Sequence, residues 1–139
     1  LLVLGAGLQG TACAFDLLNV RTVTKVLLAD VRVGPLPPFL AAHAGPRLEQ
    51  LALDVRSDDA VRAVFARCDA VLSAIPYYYN ANLARLAVEM GVHFTDLGGN
   101  TEIVQQQKQL DAAARAKGVS VIPDTGLAPG MVNVIAQHG

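Results

Sequence analysis

Three glycines and one acid are the residues best spaced to do chemistry. The stretch "VLGAGLQG" sets Gly5, Gly7 and Gly10 in a G-x-G-x-x-G pattern. Each glycine has its own physical task. Gly5 permits a tight turn, Gly7 lets backbone approach a pyrophosphate, and Gly10 lets a helix lie close on a strand. Leu8 and Gln9 lie in the loop just ahead of the helix expected from Thr11, where free N–H groups at a helix start face phosphate. Asp30 stands 20 residues after Gly10, at the end of the next apolar run. A carboxylate there accepts from a ribose 2′-OH and repels a 2′-phosphate, which favours NAD over NADP. Val31 follows it, and Arg32 offers a competing phosphate partner. A methyltransferase-like domain also uses a glycine loop and an acid, but the Gly7–Gly10 spacing suits a dinucleotide better.

Further polar and small residues follow the ends of later apolar runs. Asp54 and Val55 are placed to flank an adenine. "AIPYYYN" puts Ile75 and Pro76 at a strand end, and Tyr77 within reach of a nicotinamide or a substrate. "DLGGN" supplies Asp96 as a polar contact, Gly98 and Gly99 for close backbone approach, and Asn100 as a helix N-cap. "PDTGLAPG" is one more helix start aimed at the same crevice. Asp96 and Tyr77 are the candidates for a catalytic base. A bland alternative stands beside them: Tyr77, Tyr78 and Tyr79 cover a helix end, and Asp96 is a structural cap. His93 alternates with Phe94 in a strand and reads as structural. Cys13 reads as a small core residue, and Cys68 has no partner to activate it. No Ser-His-Asp set, metal-ligand cluster or P-loop emerges.

The elements that must position these residues alternate in kind. Strands are expected at Leu1–Leu4, Lys25–Asp30, in "RLEQLALDV" up to Asp54, in "DAVLSAIP", "VHFTDL" and "VSVIP". Helices are expected at Thr11–Asn19, Asp58–Arg67, Asn82–Met90 and Thr101–Lys117, the last being the longest. Gly91 and Gly118 sit where left-handed C-caps belong. Leu83, Leu86, Ala87 and Met90 recur at helical spacing. This alternation predicts an α/β fold with a doubly wound parallel sheet. The bulk numbers agree: 139 residues, 53% hydrophobic, mean hydropathy +0.38 and formal charge −1. That richness suits strands covered on both faces. The near-neutral balance offers nothing to nucleic acid or an anionic membrane, and no apolar run approaches the ~18 residues of a membrane span. Two isolated cysteines fit a reducing, cytoplasmic setting.

"LLVLGAG" opens in mid-strand, and "TGLAPGMVNVIAQHG" begins a helix whose apolar face, from Met131 to Ile135, is left incomplete. Residues 1–128 are therefore read as a dinucleotide-binding domain, and residues 129–139 as the start of a helix leading into a further domain. Pro129 suits the first turn of that helix.

"VLGAGLQG", "SAIPYYYN", "GVHFTDLGGN" and above all "PDTGLAPGMVNVIAQHG" resemble the saccharopine dehydrogenase-like family, most closely its L-lysine 6-dehydrogenase branch. The resemblance implies a dinucleotide-binding domain followed by a substrate and dimerisation domain, and hence a homo-oligomer built through the latter. It implies cofactor contacts from Gly5, Gly7, Gln9, Gly10 and Asp30, and further ones from Asp54, Ile75, Pro76 and Tyr77. It sets Asp96, Leu97, Gly98 and the Gly126–Gly130 turn near the nicotinamide. The activity implied is NAD-dependent oxidation of a CH–NH2 group, with L-lysine deaminated to its semialdehyde. Two alternatives stand: a saccharopine-type reductase using NADPH, and a nucleotide-sensing module without catalysis.

Overall fold

A computed structural model describes residues 1–139. Its elements are β1 (Leu2–Leu4), α1 (Leu8–Asn19), β2 (Val26–Asp30), α2 (Pro38–Ala41), β3 (Leu48–Ala52), α3 (Asp58–Phe65), β4 (Ala70–Ser73), α4 (Asn80–Met90), β5 (His93–Asp96), α5 (Thr101–Lys108), α6 (Asp111–Lys117), β6 (Val121–Ile122) and α7 (Val132–His138). The six strands form one sheet in the order β3-β2-β1-β4-β5-β6, and every pairing is parallel. The expected doubly wound sheet is what the chain builds. Strand order reverses between β1 and β4, and a crevice opens at such a switch point, beyond the carboxyl ends of the strands.

β1 shows why the opening run is apolar throughout. Leu2 and Leu4 point into one core, with Val61, Phe65, Val71, Leu83, Leu86 and Phe94. Val3 points to the other, with Ala14, Leu18, Val26, Leu28 and Leu40. Alternation along a strand sends neighbours to opposite faces, and helices cover both, so no position of β1 is polar. All three residues are 0–1% exposed.

Local signals set most helix ends. Asn100 caps α5, its Oδ1 accepting from Glu102 N (2.9 Å) and Ile103 N (3.1 Å). Gly91 and Gly118 end α4 and α6 at φ of 72° and 68°, a region that costs an L side chain strain. At the far end of α1, Arg47 donates to the carbonyls of Leu18 (2.9 Å), Val20 (3.0 Å) and Val23. Those groups lie at and beyond the helix end, where carbonyls lack helical partners.

Five expectations change. Helix α1 begins at Leu8, three residues before the expected Thr11. The long helix over Thr101–Lys117 is two helices, because the chain tightens at Gln109 and Leu110 into i→i+3 bonds (Gln109 N to Gln106 O, Leu110 N to Gln107 O). One face stays turned inward across the joint, with Gln107 and Ala114 buried and Leu110 packed on the core. α4 starts at Asn80, two residues early, after a single turn over Tyr77–Tyr79. Met90 is 36% exposed rather than on the inner face. Pro129 does not open the last helix. It lies in a wide turn, Leu127–Met131, after a cis Ala128–Pro129 bond, and α7 follows from Val132.

Candidate cofactor and nicotinamide-end site

The turn after β1 is shaped by the three glycines, each for a different reason. Gly5 has φ 97°, and a Cβ on it would fall 2.8 Å from Ala74 O and 2.9 Å from Ile75 Cγ2. Only a bare backbone lets β1 and β4 exit side by side there. A Cβ on Gly10 would fall 1.7 Å from the Gly5 carbonyl oxygen, so α1 seats directly on the turn. Nothing lies within 4 Å of a Cβ on Gly7; the space over it is open. The first bond of α1 is Thr11 N to Gly7 O (3.0 Å), so the N–H groups of Leu8, Gln9 and Gly10 precede it without helical partners. No side chain caps them. Leu8 is 90% exposed, and Gln9 is also exposed. An open cradle of free N–H groups at a helix N-terminus fits a pyrophosphate.

Asp30 closes this turn from the neighbouring strand. Its Oδ2 accepts from Ala6 N at 2.8 Å, and its Oδ1 from Arg32 N at 3.2 Å. Two cavities flank it. One, about 310 Å³, is lined by Gly5, Asp30, Val31, Asp54, Val55, Arg56, Ile75, Pro76 and others. The second, about 250 Å³, is lined by Ala6, Gly7, Thr11, Asp30 and Arg32 among others. Asp30 is therefore the wall they share. Within the first cavity, Asp54 is already paired with Arg56. Hydrogen bonds from the Arg56 guanidinium and backbone hold the Asp54 carboxyl down to about 2.

Tyr77 and the expected nicotinamide-end residues gather elsewhere, above β4, β5 and β6. Tyr78 and Tyr79 line the first cavity, whereas Tyr77 turns towards β5. A Cβ on Gly99 would touch its ring at 3.5 Å. Below this turn, Ser73 donates to Asn80 Oδ1 at 2.7 Å, and both residues are 1% exposed. That bond ties the end of β4 to the start of α4 and fixes the intervening tyrosine turn.

Asp96 lies lower than a substrate contact would. It is 1% exposed. Its Oδ1 accepts from Gly98 N (2.7 Å) and Asp124 N (3.2 Å), and its Oδ2 from Gln107 Nε2 (2.6 Å). A general base needs an oxygen within reach of the proton it takes; here both oxygens already serve donors of the protein. Asp96 thus ties three segments together: the Leu97–Gly98 turn, the Asp124 turn and α5. Leu97 N itself donates to Ser73 O (3.3 Å). Gly98 has φ 79°, and a Cβ there would collide with Asp124 Oδ1 at 1.9 Å.

Sequence reasoning gave no individual site role to Asp124, Gln107 or Arg56. Asp124 is the one non-glycine residue with positive φ, at 60°, and its Oδ1 also accepts from Gly99 N (3.3 Å). Asp is among the few residues that tolerate this region, and the "PDTG" turn was the available signal. His93 and the cysteines fall as expected. His93 Nδ1 accepts from Ser120 N (3.0 Å), and burial pushes the Cys68 thiol up to about 11.

The sheet order, the glycine turn and the acid at the end of β2 define a class: a doubly wound α/β domain of the Rossmann type. Comparison with known proteins narrows this. The sequence pattern of the family described as the saccharopine dehydrogenase NADP binding domain matches residues 1–122, and the chain belongs to that family. It is 30% identical over 140 residues to saccharopine dehydrogenase [NADP(+), L-glutamate-forming] of Saccharomyces cerevisiae, covering 97% of this chain and 29% of that protein. The enzyme of the same description from Pyricularia oryzae is 31% identical over 86 residues, 62% of this chain and 18% of that one. Among solved structures, apo saccharopine dehydrogenase (L-Glu forming) from S. cerevisiae superposes with a TM-score of 0.76 at 25% identity, over 97% of this chain and 29% of that one. An Agrobacterium tumefaciens uronate dehydrogenase variant complexed with NAD shares the fold, with a TM-score of 0.51 at 24% identity over 70% of this chain and 40% of that one. The chain thus spans less than a third of the S. cerevisiae relative.

Proposed function

We propose that this chain binds NAD and forms the cofactor half of an oxidoreductase acting on the amine-bearing carbon of an amino acid. The observation that carries the cofactor reading is the cradle itself. Free N–H groups lead α1, open space lies over Gly7, and the Asp30 carboxylate closes the far side. Gly5, Gly7, Leu8, Gln9 and Gly10 hold the pyrophosphate. Asp30 and Val31 hold the adenosine ribose, and Asp54, Val55 and Ile75 border the base. Pro76, Leu97 and Gly98 border the nicotinamide end. When bound, the dinucleotide supplies hydride transfer at the nicotinamide.

The family supports an amino-acid substrate, and the lysine 6-dehydrogenase resemblance supports L-lysine. In that reaction the amine carbon gives up a hydride and the nitrogen a proton. The resulting imine takes up water to give a semialdehyde and ammonia. This chain's own contribution is to hold the reacting carbons in register and to accept the proton. The Tyr77 side chain, as its phenolate, is the proposed acceptor, because it stands on the crevice rim, 41% exposed. Asp96 is proposed to position the turns around it.

A second reading, a reductase that uses NADPH to join an amine to a carbonyl compound, draws on two observations. The relatives' names carry NADP. Arg32 also lines the cavity beside Asp30, and its guanidinium makes none of the chain's ion pairs. Calorimetric titration with NADH and with NADPH decides between them. Tighter NADH binding supports Asp30 as the ribose ligand. Tighter NADPH binding overturns it in favour of Arg32. Product analysis of the full enzyme then separates ammonia from a secondary amine.

A further inference from the structure

Arg56 follows the end of β3 and carries no role in the reading above. Its Nε lies 2.9 Å and 3.1 Å from the two Asp54 oxygens, and its second guanidinium nitrogen lies 2.6 Å from Asp54 Oδ2. Its backbone N–H also donates to Asp54 Oδ1 at 3.0 Å. This is the forked geometry in which a guanidinium and a carboxylate lock each other's orientation. The locked pair lines the 310 Å³ cavity together with Val31, Val55, Ile75 and Tyr78. The side chain is 73% exposed, so one side is free for a ligand.

The cavity is otherwise apolar at this end, which suits the flat face of a heterocycle. Asp54 is the expected polar contact for adenine, yet its oxygens are taken by Arg56. A planar cation on the rim has a use that an occupied carboxylate lacks. Guanidinium groups stack on aromatic faces, and one already oriented loses little freedom in doing so.

We infer that Arg56 is an adenine-binding residue, its guanidinium held flat by Asp54 so that it stacks on the purine face of the dinucleotide. This rests on the dinucleotide reading. It gives Asp54 a positioning role instead of a direct hydrogen bond to the base.

The test is calorimetric titration of NADH, ADP-ribose and nicotinamide mononucleotide into the wild-type chain, Arg56→Ala and Arg56→Lys. Arg56 is exposed, so neither change removes core packing. The expected result is a loss of roughly five- to tenfold in NADH and ADP-ribose affinity for Arg56→Ala, with nicotinamide mononucleotide unaffected. Arg56→Lys keeps the charge but not the flat face, and stays below wild type. Unchanged ADP-ribose affinity in Arg56→Ala overturns the inference, as does full recovery in Arg56→Lys or an equal loss for nicotinamide mononucleotide. If the wild-type chain binds neither NADH nor ADP-ribose, the dinucleotide reading fails first and takes this inference with it.

Discussion

Gly10 sits so close on Gly5 that a single added carbon on the first would overlap the carbonyl oxygen of the second, at 1.7 Å. Helix α1 is therefore seated by the absence of a side chain. Gly10→Ala should raise helix propensity yet destabilise the fold, because the obstacle is backbone and cannot rotate away. The expected cost is about 1–3 kcal/mol, read as a lower urea midpoint. Dinucleotide binding should fall with it, since α1 must lift off the turn. A midpoint equal to or above wild type would contradict the close approach.

Asp30 does two things, and substitution should separate them. Asp30→Ala removes the acceptor of Ala6 N as well as the carboxylate proposed to face the ribose. NADH affinity should drop by about tenfold, the usual worth of a charged hydrogen bond, while NADPH affinity should fall less or rise. A loss of NADH and NADPH binding in equal measure would mean that Asp30 only shapes the loop.

Asp96 and Gln107 make a prediction about stability. Asp96→Ala removes the acceptor of the buried Gln107 amide and of the half-buried N–H groups of Gly98 and Asp124, and should cost about 1–3 kcal/mol for each of them that water does not reach. Asp96→Asn should be far milder. Its Oδ1 can still serve Gly98 and Asp124, and its amide can donate to Gln107 Oε1, the one buried side-chain oxygen without a partner. Equal destabilisation by the two substitutions in urea denaturation would refute this account.

Tyr77→Phe keeps the ring against Gly99 but removes the hydroxyl. If Tyr77 takes the ammonium proton, turnover of the full enzyme should fall by about 10²–10⁴, with the alkaline side of the pH–rate profile altered. Unchanged turnover and profile would exclude Tyr77 from proton transfer.

Glu49 predicts an acid-side effect. Hydrogen bonds from Arg67 and then Lys25 hold its carboxyl down from 4.5 to about 2. A depressed folded-state value adds stability above 4.5, and that stability is lost as pH falls from 4.5 towards 2. The pair is exposed and salt-screened, so the effect is small. Glu49→Gln should flatten the decline of Tm across this window, and 1 M salt should do the same to wild type.

The fold was legible where its causes are local. The glycine turn, the Asn100 cap, the Gly91 and Gly118 caps and the two-sided burial of Leu2–Leu4 each follow from neighbouring residues. The helix joint at Gln109–Leu110 was not legible, because no Gly or Pro marks it. The geometry of the candidate site was legible at the β1 and β2 ends and less so beyond. Asp96 reads alike as a surface contact or a buried hub. Its partners Gln107 and Asp124 lie 11 and 28 residues away, and only the fold brings them together. Tyr77 is another such case, since the hidden Ser73–Asn80 bond aims the turn that carries it.

Arg47 has a mechanical consequence. It grips the carbonyls beyond one end of α1, while the Gly5–Gly10 seat grips the other. A rod held at two points can neither slide along its axis nor tilt about one end. The N–H groups at the front of α1 are therefore in place before any anion arrives, and little ordering remains to be done on binding. Loosening Arg47, some 15–20 Å away along a helix rising 1.5 Å per residue, should weaken anion capture without touching the anion.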